Sequence, residues 1–260
     1  MRILAVGDIC AAAGRRLVRT CLSKARDRLE ADLVIVQGEN ANDNGRGISP
    51  DTAMDFFYAG ADIITLGNHA FNDRRIYDFL DENDTVARPF NAPPRSPGTG
   101  YSVLDLGKSR VCVCSLAGRV EMDFRYADQV FKECRADIYI FDFHAEATSE
   151  KKALGFYLDG RASVVYGTHT HVPTRDICIL PKGTGYITDI GMSGGSLSVL
   201  GVKPEKSIAM FLGEPYVRYD YSEKDPVMQC ALFELDEKGM CQSARALDIY
   251  PGPSGEITIK

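Results

Sequence analysis

The sequence predicts an α/β fold in which parallel strands alternate with helices that cover them. Three short aliphatic runs open the chain, each followed by a polar or helical stretch, and each run closes on Gly and a polar residue. Continuous aliphatic runs are typical of strands that are buried on both faces, and their alternation with helices indicates a parallel sheet. The 260 residues show no internal repeat and no clear boundary, so we expect a single domain, 1–260.

The elements of the first half follow from this alternation. Aliphatic runs predict strands at 3–6, 32–36 and 62–66, and helical patterns occupy about 15–30 and 73–81. A further helix opens at Ser49-Pro50-Asp51, because Ser favours the cap position and Pro the first turn. The Gly/Asn-rich segment 42–47 predicts a loop between the second strand and this helix.

The second half repeats the pattern. Strands are predicted at 137–143 and 163–166, with a helix at about 149–157 entered through Thr148 as its cap. A hairpin around Gly107-Lys108 is predicted for 103–106 and 111–116, a loop for 89–100, and further strands for 186–188 and 229–235. The Gly/Ser-rich segment 191–201 predicts a flexible loop.

Composition limits the classes of function and location. The net charge of −6 argues against a protein that binds nucleic-acid backbones nonspecifically, but a small phosphate ester stays open because bound divalent metals invert the local charge. The eight cysteines include no pair of C-x-x-C units, which indicates reduced, mostly buried thiols. With no apolar run long enough for a signal peptide or a membrane span, we expect a cytoplasmic protein.

All four histidines lie in short motifs that are typical of metal sites. The motifs are G-N-H at 67–69, F-D-F-H at 141–144 and G-T-H-T-H at 167–171. Imidazole is a common metal ligand and a common proton donor near neutral pH. A chain of this size needs no metal to hold its core, so a metal site here is expected to be catalytic.

Polar residues at the predicted strand ends form one constellation. Its members are Asp8, Glu39, Asn40, Asn68, His69, His144, His169 and His171. In open α/β sheets, ligands bind beyond the carboxyl ends of the strands, so residues at several strand ends can converge on one site. Carboxylates, amides and imidazoles together suit two divalent cations. Taken singly, Asp8 could be a helix cap, Glu39-Asn40 a solvated turn and His144 a core histidine, but the joint pattern favours metal binding, with Glu39 suited to bridge two ions.

The order of these motifs resembles the calcineurin-like metallophosphoesterases, which place two metals on a β-sandwich flanked by helices. Three longer strings, at 143–151, 159–172 and 179–192, resemble a bacterial subgroup, the YmdB-like phosphodiesterases that act on 2′,3′-cyclic nucleotides. With the N-terminal motifs, the resemblance covers nearly the whole chain. It implies an α/β fold with a central β-sandwich of mixed sheets between helical layers, in the order α/β/β/α.

The resemblance also implies roles for the constellation. One metal would be held by Asp8, Glu39, Asn40 and His171, and the other by Glu39, Asn68, His144 and His169. His69 would protonate the leaving oxygen while a metal-activated hydroxide attacks phosphorus. Iron is the metal associated with the subgroup, and manganese commonly supports this chemistry. The expected substrate is a small phosphodiester or nucleotide such as 2′,3′-cyclic AMP, with no stable binding of nucleic acid and no membrane partner.

Some features depart from the family pattern or leave alternatives open. The superfamily opens with D-x-H, whereas this chain has Asp8-Ile9-Cys10, so Asn40 is a candidate to replace the missing histidine and Cys10 is a second, weaker candidate. Arg119 is a candidate phosphate ligand or an exposed structural arginine. The aromatics of 216–221 are candidates for a contact in a homo-oligomer or for local packing.

Two other functions also fit the motifs. A phosphomonoesterase, a nucleotidase or a phosphoprotein phosphatase would use the same metal chemistry and differ in the shape of its substrate cavity. A non-catalytic regulator that binds metal or nucleotide on the same fold would have no use for a proton donor at His69.

Overall fold

A computed structural model of the chain describes residues 1–118 and 123–260. Arg119, the candidate phosphate ligand, lies outside the described residues. The strands of the described part, in chain order, are β1 (Arg2–Val6), β2 (Asp8–Ile9), β3 (Leu33–Gln37), β4 (Ile63–Thr65), β5 (Val86–Ala87), β6 (Tyr101–Asp105), β7 (Arg110–Ala117), β8 (Ile138–His144), β9 (Val164–Thr168), β10 (Cys178–Ile179), β11 (Gly185–Ile187), β12 (Met192–Gly195), β13 (Pro226–Leu235), β14 (Cys241–Pro251) and β15 (Ile257–Ile259). The helices are α1 (Ala11–Leu29), α2 (Pro50–Tyr58), α3 (Ile76–Glu82), α4 (Arg125–Glu133), α5 (Thr148–Leu158) and α6 (Pro204–Phe211).

These strands form two mixed sheets. The first has the order β15-β14-β13-β1-β3-β4-β5, with β2 and β12 paired beside it, and the second has the order β10-β11-β9-β8-β7-β6. In the first sheet β1, β3, β4 and β5 run parallel, and β13 lies antiparallel to β1. In the second sheet β7, β8, β9 and β11 run parallel. The parallel strands therefore direct their carboxyl ends to common edges.

Three apolar cores separate four layers. Alternate residues of β1 show the arrangement, because Leu4 packs toward α1, α2 and α3 while Ile3 packs into the core between the sheets. The third core lies between the second sheet and helices α4 and α5, and it includes both Cys112 and Cys114. These two cysteines therefore share one face of β7, and the predicted α/β/β/α layering is confirmed.

Several element boundaries differ from the prediction for physical reasons. Helix α1 begins at Ala11 rather than about 15, and its first turn packs so closely on β12 that a Cβ on Gly14 would lie 2.4 Å from the Ser193 oxygen. Small residues suit this close approach, and they hide the helix from hydrophobic periodicity. Thr148 is the first residue of α5 rather than its cap, whereas the Ser49 side chain caps α2 as predicted by accepting from the Thr52 amide.

The predicted flexible loop at 191–201 is wrong over its first half. Residues 192–195 form the buried strand β12, which pairs with β2 and β13. A Cβ on Gly195 would lie 2.3 Å from the carbonyl oxygen of Ser222, so this glycine serves close packing.

The thiol prediction is confirmed. All eight cysteines are free, and only Cys178 is exposed. No helix among the described ranges combines the length and apolar character needed to cross a bilayer.

Candidate metal centre

The parallel strands of both sheets bring the predicted constellation together. Asp8 lies in β2, and Glu39 and Asn40 follow β3. Asn68 and His69 follow β4 in the first sheet, whereas His144 ends β8 in the second sheet, and His169 and His171 follow β9. The candidate centre thus lies where the carboxyl ends of the two sheets face each other.

Three candidate ligand atoms crowd around one imidazole nitrogen. The Nε2 atom of His144 lies 2.9 Å from Glu39 Oε1, 3.0 Å from Asn68 Oδ1 and 3.0 Å from His169 Nδ1. A single N–H cannot satisfy three acceptors at once. Glu39, His144 and His169 also form a group whose ligand atoms all lie within 4.8 Å of one another. This donor set, with one carboxylate, one amide and two imidazoles, suits a divalent cation.

A second group of donors lies beside the first. The Nε2 atom of His171 lies 3.3 Å from Asn40 Oδ1 and 3.8 Å from Asp8 Oδ1. Asp8 is fully buried, and its Oδ1 has no hydrogen-bond partner among the described residues, while Oδ2 accepts from the His169 amide. A buried carboxylate oxygen without a partner is costly unless a cation or donor is bound there. The unpartnered Oδ1 atom of Asp8 therefore fits the binding of a second cation.

Glu39 is held between the two groups. Its Oε2 accepts from the His69 amide at 2.8 Å, and its Oε1 faces His144. Gly67 makes this convergence sterically feasible, because a Cβ there would lie 2.2 Å from the His144 ring and 2.5 Å from Glu39 Oε2. The Gly of the G-N-H motif is therefore explained by packing against both side chains.

The loop that carries the last two histidines has an unusual backbone. His169 and His171 have φ values of 97° and 61°, which non-glycine residues rarely adopt. Buried Lys151 donates to the Thr168 carbonyl at 2.7 Å and to Asp189 Oδ2 at 2.6 Å, and the same Asp189 oxygen accepts from Thr170. This network holds the loop in its strained conformation.

Charge is unevenly balanced in the centre. Burial acts to raise the pKa of Glu39, but the ion pair with His144 and the hydrogen bond from the His69 amide lower it to about 2. Burial acts to lower the pKa of His144, yet Glu39, Asp8 and Asp142 raise it to about 9. Burial raises the pKa of Asp8. A proton on His144 therefore balances the carboxylates, and a bound cation would replace it.

A buried polar group behind His144 was missed at the sequence level. His144 Nδ1 lies 3.0 Å from the Thr168 hydroxyl, which donates to Asp142 at 2.7 Å, and Thr65 donates to the other oxygen of Asp142 at 2.5 Å. Burial raises the pKa of Asp142 to about 7. The sequence signal was Asp142, because it lies among apolar residues in the predicted strand 137–143 and its side chain is therefore directed to the protein interior.

Glu146 is a second residue that the motifs did not single out. Its carboxylate lies 3.2 Å from Nε2 of His169, whereas Nδ1 of the same ring faces His144. Glu146 can therefore orient the His169 ring. Its position two residues after His144 was the available signal.

His69 and Cys10 differ in their relation to the centre. His69 is half-buried and lines the same cavity as Glu39, His169 and His171. Burial raises the pKa of the Cys10 thiol to about 12, and its sulfur packs against Gly201. Among the described residues, Cys10 is not part of the group of candidate ligand atoms that Glu39, His144 and His169 form.

Comparisons with known proteins give one consistent result. The model of a family described as YmdB-like protein matches residues 4–247. A 2′,3′-cyclic-nucleotide 2′-phosphodiesterase of Bacillus subtilis (strain 168) is 40% identical over 245 residues, which cover 92% of this chain and 92% of the relative. A solved structure of a hypothetical protein from Thermus thermophilus has a TM-score of 0.89 at 40% identity, covering 95% of this chain and 98% of its own. A phosphatase structure from Mycoplasma pneumoniae has a TM-score of 0.90 at 31% identity, covering 98% and 95%.

Proposed function

This chain belongs to the YmdB-like protein family, and from that premise we propose that it hydrolyses small phosphodiesters, in particular 2′,3′-cyclic nucleotides such as 2′,3′-cyclic AMP. The observation that carries the proposal is the convergence of Glu39, Asn68 and His169 on His144 Nε2, beside the unpartnered oxygen of Asp8. Such a cluster of converging ligand atoms next to an open cavity is typical of a catalytic metal site.

We assign the donors to two cations that share Glu39. The first cation would be held by Asp8, Glu39, Asn40 and His171, and the second by Glu39, Asn68, His144 and His169. The spatial grouping around His171 and around His144 supports this division. Iron is the proposed metal, with manganese as a substitute. When bound, the pair would lower the pKa of a shared water and neutralise charge on the phosphate.

His69 is the proposed proton donor. Its ring lines the cavity beside the donor clusters, and its backbone amide is fixed by the hydrogen bond to Glu39. A histidine that is close to the reacting phosphate without being counted among the ligands can protonate the departing ribose oxygen. The neighbouring ligand Asn68 positions it, because the two residues are consecutive in the turn after β4.

A cytoplasmic location is part of the proposal. Free thiols in all eight cysteines are typical of proteins in a reducing compartment.

Substrate comparison tests the proposal. The purified protein, supplied with Mn²⁺ or Fe²⁺, is assayed with 2′,3′-cyclic AMP, bis-p-nitrophenyl phosphate and p-nitrophenyl phosphate. We expect the two diesters to be turned over with a higher kcat/KM than the monoester. A clear preference for the monoester would replace the diesterase with a phosphomonoesterase, and inertness toward all three would favour the non-catalytic regulator.

A further inference from the structure

The cavity beside the candidate metal centre has two walls of different chemistry. It encloses about 370 Å³, within the range of about 300–1,000 Å³ that is typical of small-molecule sites. Glu39, His69, His169 and His171 lie on the side of the metal centre. The loop after β3 carries Arg46 into one wall, and residues of the segment 199–221, which includes α6, form the other.

The loop that carries Arg46 is tied to the metal centre. The side-chain amide of Asn40, a proposed ligand, donates to the Gly45 carbonyl at 3.0 Å. The Tyr221 hydroxyl donates to the Asn44 carbonyl at 3.1 Å. The Arg46 amide donates to Asn44 Oδ1 at 3.0 Å. Gly45 has a φ of 67°, and a Cβ there would lie 1.9 Å from the Tyr221 hydroxyl. The backbone at Arg46 is therefore held in place before any ligand binds.

The guanidinium of Arg46 is exposed and makes no hydrogen bond or ion pair with the rest of the described chain. Two cations on adjoining segments are paired instead, since Arg15 contacts Asp43 and Lys203 contacts Asp220. Arg46 is also within electrostatic range of the metal centre, because its charge adds to the effect of burial in lowering the pKa of His69. An unpaired guanidinium on a fixed loop is suited to bind a phosphate oxygen.

The wall formed by residues of 199–221 presents apolar side chains that the protein core does not use. Phe211 is 81% exposed, Leu200 49% and Met210 39%. This wall is linked to the metal centre, because the Leu200 carbonyl lies 3.1 Å from His171 Nδ1. The Tyr219 hydroxyl donates a hydrogen bond to the Met210 sulfur at 3.0 Å and so helps to fix the position of the Met210 side chain in this wall. An aromatic and aliphatic surface in the same cavity as a phosphate site suits the flat face of a nucleobase.

We propose that this cavity is the nucleotide-binding subsite of the metal centre, in which Arg46 contacts the phosphate and the wall of Leu200, Met210 and Phe211 receives the base. The inference rests on the proposed phosphodiesterase function and adds how the substrate is recognised. It makes the enzyme selective for nucleoside cyclic phosphates over cyclic phosphates that lack a base. It also gives an acidic protein one local positive charge where the anionic ester enters.

Three variants, Arg46→Met, Arg46→Lys and Phe211→Ser, and one control separate the two halves of this subsite. Arg46→Met removes the charge and keeps the length of the side chain, and Phe211→Ser removes the aromatic face. Arg74→Met is the matched control, because Arg74 is exposed on a nearby surface, its side chain makes no hydrogen bond or ion pair with the described residues, and it does not line this cavity. Each metal-loaded protein is measured for KM and kcat with 2′,3′-cyclic AMP and with ribose 2,3-cyclic phosphate, for its affinity for adenosine 3′-monophosphate by calorimetry, and for its metal content.

The expected results differ between the variants. Arg46→Met raises KM for both cyclic esters and the Kd of the monophosphate by about 10- to 100-fold, the usual effect of losing a charge-assisted hydrogen bond. Arg46→Lys recovers part of the affinity, because it restores the charge without the planar fork. Phe211→Ser weakens the binding of both adenosine ligands by about 5- to 100-fold, as expected from a lost stacking contact, and leaves the KM of the base-free ester unchanged. Metal content stays the same throughout, and Arg74→Met behaves as wild type.

Other outcomes overturn the inference. If Arg46→Met and Phe211→Ser bind and turn over all ligands like wild type, the subsite lies elsewhere although the phosphodiesterase stands. If Phe211→Ser changes only the mass of the assembly in solution, the apolar wall is a contact between copies of the chain. If the wild-type protein neither binds the monophosphate nor hydrolyses either ester, the proposed function itself has failed, and the variants are not needed to show it.

Discussion

At the scale of single residues, the centre is defined by polar atoms that lack partners suited to them. Asp8 shows this most clearly, because it is fully buried and one of its carboxylate oxygens has no hydrogen-bond partner in the described chain. Burial raises the pKa of Asp8, so without a cation the charged carboxylate destabilises the folded protein. Function and stability therefore make opposite demands on this residue.

The substitution Asp8→Asn tests this conflict. We expect the metal-free variant to be at least as stable as metal-free wild type, because the change removes a buried charge and an amide oxygen can still accept from His169. We expect it to lose the stabilisation that the first cation gives to wild type, about 2.7 kcal/mol for one site at a free metal concentration of 100 Kd. Urea unfolding with chelator and with Mn²⁺ measures both effects. A metal-free variant that is much less stable than wild type would contradict this account of Asp8.

His69 permits a test that depends on the leaving group. For His69→Ala we expect kcat on 2′,3′-cyclic AMP to fall by about 10²- to 10⁴-fold, because an alkoxide needs a proton to depart. The loss on bis-p-nitrophenyl phosphate should be far smaller, since p-nitrophenolate departs without protonation. Metal content is the control and should not change. An equal loss on both substrates would show that His69 acts in some way other than proton donation.

At the scale of elements, the loop after β9 depends on a buried ion pair. Lys151 on α5 and Asp189 after β11 are both almost completely buried, and together they hold the backbone of Thr168 and Thr170. Because His169 and His171 have positive φ values, the loop needs such support to present both rings to the centre.

Neighbouring lysines on α5 provide a matched pair of variants. Lys151→Met leaves Asp189 buried without its partner and should destabilise folding by about 3–5 kcal/mol. Lys152→Met breaks the exposed pair with Asp176 and should cost about 0–1 kcal/mol. Denaturant unfolding measures both, and metal affinity should weaken only in Lys151→Met. Similar small losses in the two variants would show that the buried pair does not support the loop.

At this scale, local signals in the sequence account for only part of the fold. The buried strands and the polar residues at their ends could be predicted, because aliphatic runs and the Gly-polar motifs are local. Strand β14 was missed because its exposed and half-buried residues give no clear alternation. Helix α4 was missed although its buried residues, Ala127 and Val130, have the spacing of one helix face. Helix α6 was missed because its apolar residues Ile208, Met210 and Phe211 are exposed instead of forming a core stripe.

The site was predictable to a similar extent. Residues next to strand ends were found by their position in motifs, whereas the supports that come from other elements were not. Lys151 lies in the first turn of α5 and Asp189 follows β11, and the packing of α5 on β9 brings them together. Arg46 was missed because a single arginine in a Gly/Asn loop carries no local signal of its neighbours across the cavity.

At the scale of the whole molecule, the apolar cores that stabilise the fold are separate from the candidate metal centre. Three apolar cores hold the four layers together, and the candidate ligands lie at the carboxyl edge of the sheets, outside these cores. Removal of metal should therefore abolish activity and lower stability without unfolding the chain. This separation makes a metal titration of the folded protein feasible.

The most direct test of the central claim is a titration of chelator-treated protein with Mn²⁺, in which bound metal per chain and turnover of 2′,3′-cyclic AMP are recorded together. We predict no turnover without metal, little with one bound equivalent, and full activity as the second equivalent binds, while circular dichroism stays constant. Full turnover of the metal-free protein, or a plateau of activity at one metal per chain, would contradict a two-metal phosphodiesterase.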